Sequence, residues 1–331
     1  MLSSEATLIH FITETTRPQR SEDSTGIFHA CTPLSGLVPK LLKHSSNNRE
    51  MAYPYSIFES TAGSPLSTVS IYLSLPERRC VDKQIGSIVR SLASLTSPSG
   101  TFGTVSRVLP DPFTQASSKA PEKVGAKTWS EAFNLLLEGI FRDGEDMAVL
   151  LPYETVRTHY ERLSWRLDAV KLPRLLVLDA GSDTNVMIDR GAEGPPTTPS
   201  EGARLVGLRS WSQGIFGDPL LSNCFEEPSE GFLEGWREGG KDIIEDAENA
   251  EVRLLIYRCF RAVVSVVTEY YRPQGDSSRR ELEGRRKLTS ALAELEKVDA
   301  AASDDLKRQR SLSTGHEGES SKKQKVEGDH A

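Results

Sequence analysis

The sequence predicts an α+β protein in which a small, strand-containing N-terminal part precedes a larger helical part. Three observations predict it. Short extended runs occur at Tyr53 to Glu59, Leu175 to Leu178, Val186 to Ile188 and Ala203 to Leu208. Long segments of helical period dominate from Pro76 onward. Between the second and third extended runs lies a tight polar loop carrying Asp179 and Asn185. Short strands followed by a mostly helical remainder indicate an α+β protein.

The elements follow in order. Glu5, Leu8, Ile9, Phe11 and Ile12 fall on one face of a first helix, which Pro18 and the polar residues to Ser24 end. Residues 26–49 read as loop, with a short extended piece over Gly36 to Leu42. Tyr53 to Glu59 is a strand, and Ala62-Gly63-Ser64-Pro65 a turn. Val81, Ile85, Ile88, Val89 and Leu92 recur at helical spacing within a helix from Pro76 to Leu95. Residues 96–127, rich in Ser, Pro, Thr and Gly, read as a long surface loop. Trp129 to Phe141 is strongly amphipathic, with Trp129, Ala132, Phe133, Leu136 and Ile140 on one face. A helix over Glu154 to Leu167 leads into the loop of Asp179. A Gly/Pro/Thr turn over 190–202 precedes the strand at 203–208, and the acidic stretch 226–252 reads as a solvated face. Helices over about 248–272 and 277–298 close the fold. Beyond residue 300 the chain is polar and charged, the composition of a disordered tail. The expected division is 1–66 for the small lobe and hinge, 67–298 for the helical lobe and 299–331 for the tail.

Composition narrows the function. The 331 residues carry a net charge of -7, 37% hydrophobic and 26% charged residues, which argues against a general nucleic-acid binder. No apolar run reaches the ~18 residues of a membrane span, and no basic-then-apolar leader opens the chain, so neither membrane nor nucleic acid is an expected partner. Cys31, Cys80, Cys224 and Cys259 lack metal or disulfide spacing and fit a reducing, cytoplasmic compartment. The six histidines show no ligand spacing. In the tail, Lys307-Arg308-Gln309-Arg310 and Lys322-Lys323-Gln324-Lys325 have the spacing of a bipartite nuclear import signal, whose partner would be an import receptor. A solubilising tail is an equal reading. Ser311 and Ser313 follow Arg308 and Arg310 as phosphorylation candidates.

A carboxylate and a carboxamide between two buried strands are groups that phosphoryl transfer uses, one as base and one as metal ligand. The run Leu175 to Ile188 resembles the catalytic loop of the aminoglycoside phosphotransferase and choline kinase-like family, specifically its large fungal branch. Other segments agree in order: Tyr53 to Glu59 with Gly63-Ser64-Pro65-Leu66 is similar to the hinge strand and its turn. Asp82-Lys83-Gln84-Ile85-Gly86 is similar to the family's D-R-Q-L-G. Phe102-Gly103, Trp129-Ser130-Glu131-Ala132-Phe133, Gly217-Asp218-Pro219 and Tyr270-Tyr271 fall where their counterparts do. The resemblance implies a kinase-like fold and ATP- and magnesium-dependent transfer of a phosphoryl group to a hydroxyl of a small molecule.

It also implies where the site has departed from the family. The family loop reads H-x-D-x-x-x-x-N. Aligned on Asn185, the aspartate position falls on Ala180 and the histidine position on Leu178, leaving Asp179 one residue early. Aligned on Asp179, the loop is one residue longer. Asp179 is the catalytic candidate, and Asn185 and Asp183 are the metal candidates. The family's second metal-binding aspartate falls on Ser210-Trp211-Ser212, where a neutral hydroxyl cannot replace a carboxylate. Glu5 takes the place of the glutamate that holds the phosphate-binding lysine, but no lysine-bearing strand precedes it. Lys40 and Lys43 follow the helix, so the small lobe is expected to be truncated or the sequence to begin internally. The reading is a degenerate, pseudokinase-like binding or scaffold protein with a small-molecule or protein ligand in the helical-lobe cleft. The alternative is an active ATP/Mg-dependent kinase rebuilt around Asp179, Asp183 and Asn185.

Overall fold

The computed structural model describes residues 2–17, 34, 36–45, 51–113, 125–190 and 202–298. The tail, its basic clusters, Ser311, Ser313, Cys31 and most of the 190–202 turn lie outside the described residues.

Helix α1 (Leu2–Thr16) sinks Ala6, Leu8, Ile9 and Ile12 into the core, the face its periodicity predicts. A two-stranded antiparallel ribbon follows, β1 (Leu41–Ser45) with β2 (Tyr55–Phe58). The extended piece expected at 36–42 thus begins later, and after the turn at Leu37. Strand β3 (Ser64–Pro65) runs directly into a one-turn helix, α2 (Leu66–Val69). Helix α3 (Leu75–Ser94) starts one residue earlier than expected, because Ser74 and Glu77 close a capping box, with Pro76 in the first turn.

The stretch 96–127 is not all loop. It holds β4 (Gly103–Thr104) and the short α4 (Val105–Val108), which buries Val105 and Val108. Helix α5 (Trp129–Asp146) is N-capped by Thr128. Helix α6 (Tyr153–Leu163) ends before the expected boundary and tightens into a 3₁₀ segment to Ala169. Strands β5 (Arg174–Val177), β6 (Val186–Asp189), β7 (Arg204–Leu208) and β8 (Gly214–Gly217) follow. The acidic stretch is not simply a solvated face. Within it, α7 (Glu230–Glu238) buries Phe232 and Trp236 against α3, while Glu234 reaches Arg79 and Lys83. The closing pair is α8 (Ala250–Tyr271) and α9 (Ser277–Lys297), which pack against each other with Gly284 set close to Val266.

The strands form two further small antiparallel sheets, β3-β6-β7 and β4-β8-β5. Leu176 opposes Ile215 in one and Met187 opposes Gly207 in the other. From β5 onward the chain therefore crosses from one sheet to the other twice, through residues 178–185 after β5 and residues 209–213 after β7. Both crossings span the same gap, which is why the two loops lie side by side. The backbone amide of Leu178 donates to Gln213 O at 3.2 Å, and that of Arg209 to Asn185 O at 2.8 Å, tying the loop ends together. Among the described residues, no helix is long and apolar enough to cross a membrane, and Cys80, Cys224 and Cys259 are free thiols.

Candidate functional site

The 178–185 crossing is a run of tight turns. Ala180 N donates to Val177 O, Ser182 N to Asp179 O and Asn185 N to Ser182 O. Asn185 is buried, and its carboxamide serves both loops. Nδ2 donates to Asp179 O at 3.3 Å and to Ser210 O at 3.2 Å, while Oδ1 accepts from Ser210 N at 2.8 Å. The residue aligned with a metal ligand thus holds the second crossing in place.

Glu5 reaches the same point from α1. Its Oε1 accepts from Trp211 N at 2.7 Å and from Ser210 Oγ at 3.3 Å, so its partners here are the hydrogen-bond donors of a turn. A carboxylate receiving a backbone amide is a charge-assisted bond. It docks the helix onto the segment where the family resemblance had placed the second metal carboxylate. Trp211 is fully buried, and its indole N–H has no hydrogen-bond partner among the described residues.

Asp179 lies beside this junction. Its Oδ1 is buried with no hydrogen-bond partner among the described residues. Burial is the main influence pushing its carboxyl upward from the ordinary value; the negative Glu5 adds to the push and the Asp179 amide opposes it. Ala180, at the aspartate position of the Asn185 alignment, is buried in the core. Asp183 is elsewhere. Arg78 grips it in a two-toothed pair, Nη1 to Oδ2 at 2.8 Å and Nη2 to Oδ1 at 2.9 Å, and also holds Asp82 at 2.9 Å. Of the four candidates, the structure joins Asn185 and Glu5 through Ser210, sets Asp179 next to them, and ties Asp183 to α3.

The residues present do not fit a magnesium site. A hard dication needs several oxygen ligands, typically including carboxylates. Here Asn185 Oδ1 accepts a backbone amide, Ser210-Trp211-Ser212 offers no carboxylate, and Asp183 is paired with Arg78. Among the described residues, no group of three or more His, Cys, Asp or Glu side chains is placed to hold a metal.

The Asp179 environment predicts a pH effect. Because the folded carboxyl titrates above its ordinary value of about 3.9, the folded state binds more protons than the unfolded state above that pH. Stability is therefore lost as pH rises through the folded value. Asp179→Asn is expected to raise the melting temperature at pH 7 and to leave it unchanged near pH 3.5. Scanning calorimetry across that range checks this; an equal change at both pH values would mean that ionisation is not the cause.

Residues to which the sequence reading gave no site role anchor the site from below. Asp218, inside the Gly217-Asp218-Pro219 motif, is fully buried. Its Oδ2 accepts from Arg253 Nε at 2.8 Å and Tyr257 Oη at 2.9 Å, and its Oδ1 from Leu220 N at 3.1 Å. Tyr257 in turn accepts from Trp129 Nε1 at 2.7 Å. This chain bolts α5 and α8 to the end of β8. The sequence signal was the motif aspartate together with the aromatic opening of α5.

Next to the two crossings opens a cleft of about 700 Å³, walled by α5, α8, α4, the start of α1 and the β8 entry, with Leu178 and Ser212 at its inner edge.

No family model matches the sequence, and no curated protein matches it. Solved structures do match. The GDP and kanamycin complex of APH(2")-IIia has a TM-score of 0.50 and 13% identity, covering 88% of this chain and 82% of its own. The gentamicin complex of APH(2")-IIa follows with a TM-score of 0.47 and 14% identity, over 88% of this chain and 81% of its own. The streptomycin-ATP ternary complex of APH(2")-IIa has a TM-score of 0.46 and 15% identity, over the same shares. The first of these defines the class: the chain has the kinase-like fold of an aminoglycoside phosphotransferase. At such identities the likeness is one of fold.

Proposed function

We propose that this protein is a catalytically degenerate relative of the aminoglycoside phosphotransferases that binds a small molecule in its helical-lobe cleft without transferring phosphate. One observation carries the reading. At the junction where phosphoryl transfer would require metal-held carboxylates, Glu5 and Asn185 are instead occupied in fixing the backbone of Ser210 and Trp211. Catalysis of this kind rests on charge placement around the transferring group, and the charges have been diverted to structure. An import receptor that binds the basic clusters of the tail is a separate partner on this reading.

A second reading, an active ATP/Mg-dependent kinase of a small-molecule hydroxyl, is favoured by the unpartnered Asp179 Oδ1 beside Glu5. Thermal-shift titration with ATP, with and without magnesium, separates the two. A ligand that binds the folded state raises its melting temperature, by an amount that grows with the logarithm of its concentration above Kd. The expected result is no magnesium-dependent rise at millimolar ATP. A rise that disappears in Asp179→Asn would overturn the non-catalytic reading.

A further inference from the structure

We infer that the cleft takes an uncharged ligand with an apolar body, not a polycation or a nucleotide. The inference rests on the preceding reading only for the location of the ligand. Its ground is the chemistry of the walls. Leu136 and Ile140 on α5 face Val264 and Val267 on α8, and Val105 and Ile215 close the third side. A volume of about 700 Å³ lies within the range of small-molecule pockets.

Four of the hydroxyl groups of the lining already have partners within the protein. The Thr268 hydroxyl donates to Val264 O at 2.7 Å within its own helix. Thr104 and Ser106 share a hydrogen bond at 3.0 Å, and Ser212 pairs with Ser210 at 2.9 Å. No side-chain atom of the lining is left both buried and unpartnered among the described residues. Such a wall makes few polar demands on a ligand, because an unmet donor or acceptor is what penalises the wrong occupant.

Charge points the same way. The lining holds one carboxylate, Asp143, and one guanidinium, Arg272, both exposed. They cancel, and neither sign accumulates. A polyamine sugar would lose the hydration of several ammonium groups with only Asp143 to compensate, and the phosphates of a nucleotide would meet only Arg272.

The test uses the whole chain and an uncharged apolar fluorophore, N-phenyl-1-naphthylamine. Saturable, single-site enhancement is expected. Ile140→Asp, which sets a charge in the wall, is expected to weaken it roughly tenfold or more. Ser106→Arg, at the exposed rim, tests the mouth without touching the core and is expected to weaken binding severalfold. Leu150→Asp, exposed and outside the lining, is the control and is expected to change nothing. Kanamycin at millimolar concentration is expected not to displace the probe. Absence of saturable binding, binding unaltered in both cleft variants, or displacement by kanamycin would each overturn the inference. The ATP titration distinguishes the failures. If the probe does not bind and MgATP gives no shift, the apolar ligand class falls and the non-catalytic reading stands. If the probe does not bind and MgATP stabilises the protein, both fall.

Discussion

Arg253→Met is expected to destabilise the protein by about 3 to 5 kcal/mol, the range for breaking a buried ion pair from one side. Arg253 is fully buried, and besides Asp218 it donates through Nη1 to Asp246 O at 3.0 Å and through Nη2 to Glu245 O. The substitution strips Asp218 of its counter-charge and leaves two carbonyls without their donor. The Tyr257 hydroxyl and the Leu220 amide remain to Asp218, which is too little for an ionised carboxylate without solvent. Urea unfolding of the variant measures the loss. Adding Asp218→Asn should restore a substantial part of it, since the deserted charge is then gone. Equal losses in the single and double variants would show that packing, not charge, sets the effect.

The second large effect is expected at the crossing of α3 and α7. A methyl group on Gly86 would lie 2.1 Å from Phe232 O, and one on Gly235 would lie 1.9 Å from Lys83 O. Both neighbours are backbone atoms of a packed helix and cannot turn aside. Gly86→Ala should therefore force the helices apart and cost about 3 kcal/mol, the upper end for overpacking, although alanine favours helix intrinsically. Denaturation of Gly86→Ala beside Gly139→Ala checks it. Gly139 lies on α5 with nothing within 4 Å of the added methyl, so there the helix preference alone should act and stabilise slightly.

How much of this was legible in the sequence depends on what each residue answers to. Periodicity located α1, α3, α5, α8 and α9 because each presents one apolar face to the shared core. Gln84 illustrates the limit of motif reading. Its place in Asp82-Lys83-Gln84-Ile85-Gly86 was visible, but its task was not: its side chain donates to Ala203 O and accepts from Leu205 N, pinning β7 to α3. The same holds for Gly86, whose requirement comes from α7, a helix hidden within an acidic stretch. Phe232, Leu233 and Trp236 were its apolar signals, set among glutamates that stay exposed while pairing with Lys83 and Arg79. Strand β8 escaped because Gly214-Ile215-Phe216-Gly217 is too short to show alternation and is bounded by glycines.

At the site, alignment placed Asn185, Glu5 and Ser210-Trp211-Ser212 as family counterparts, and the structure brings those residues into contact. What alignment could not supply was the use made of them. Whether a carboxamide oxygen meets a cation or a backbone amide depends on a few ångströms of loop path, and residue identity does not encode that. Asp183 and Arg78, 105 residues apart, show the same limit: no local pattern announces a pair formed across the fold.

The seating of α1 has a mechanical consequence. Phe11 meets Phe216 edge-on at 5.6 Å, Leu8 packs against the β8 entry at Gly214, and Glu5 is clipped to the Trp211 amide. Prising this helix away would expose Leu8, Ile9 and Ile12 at once, so it cannot swing as a jaw on a hinge while the rest stays folded. The side of the cleft at Ser4 is thereby fixed before any guest arrives. Heat should dismantle the helix and its platform in one common endotherm.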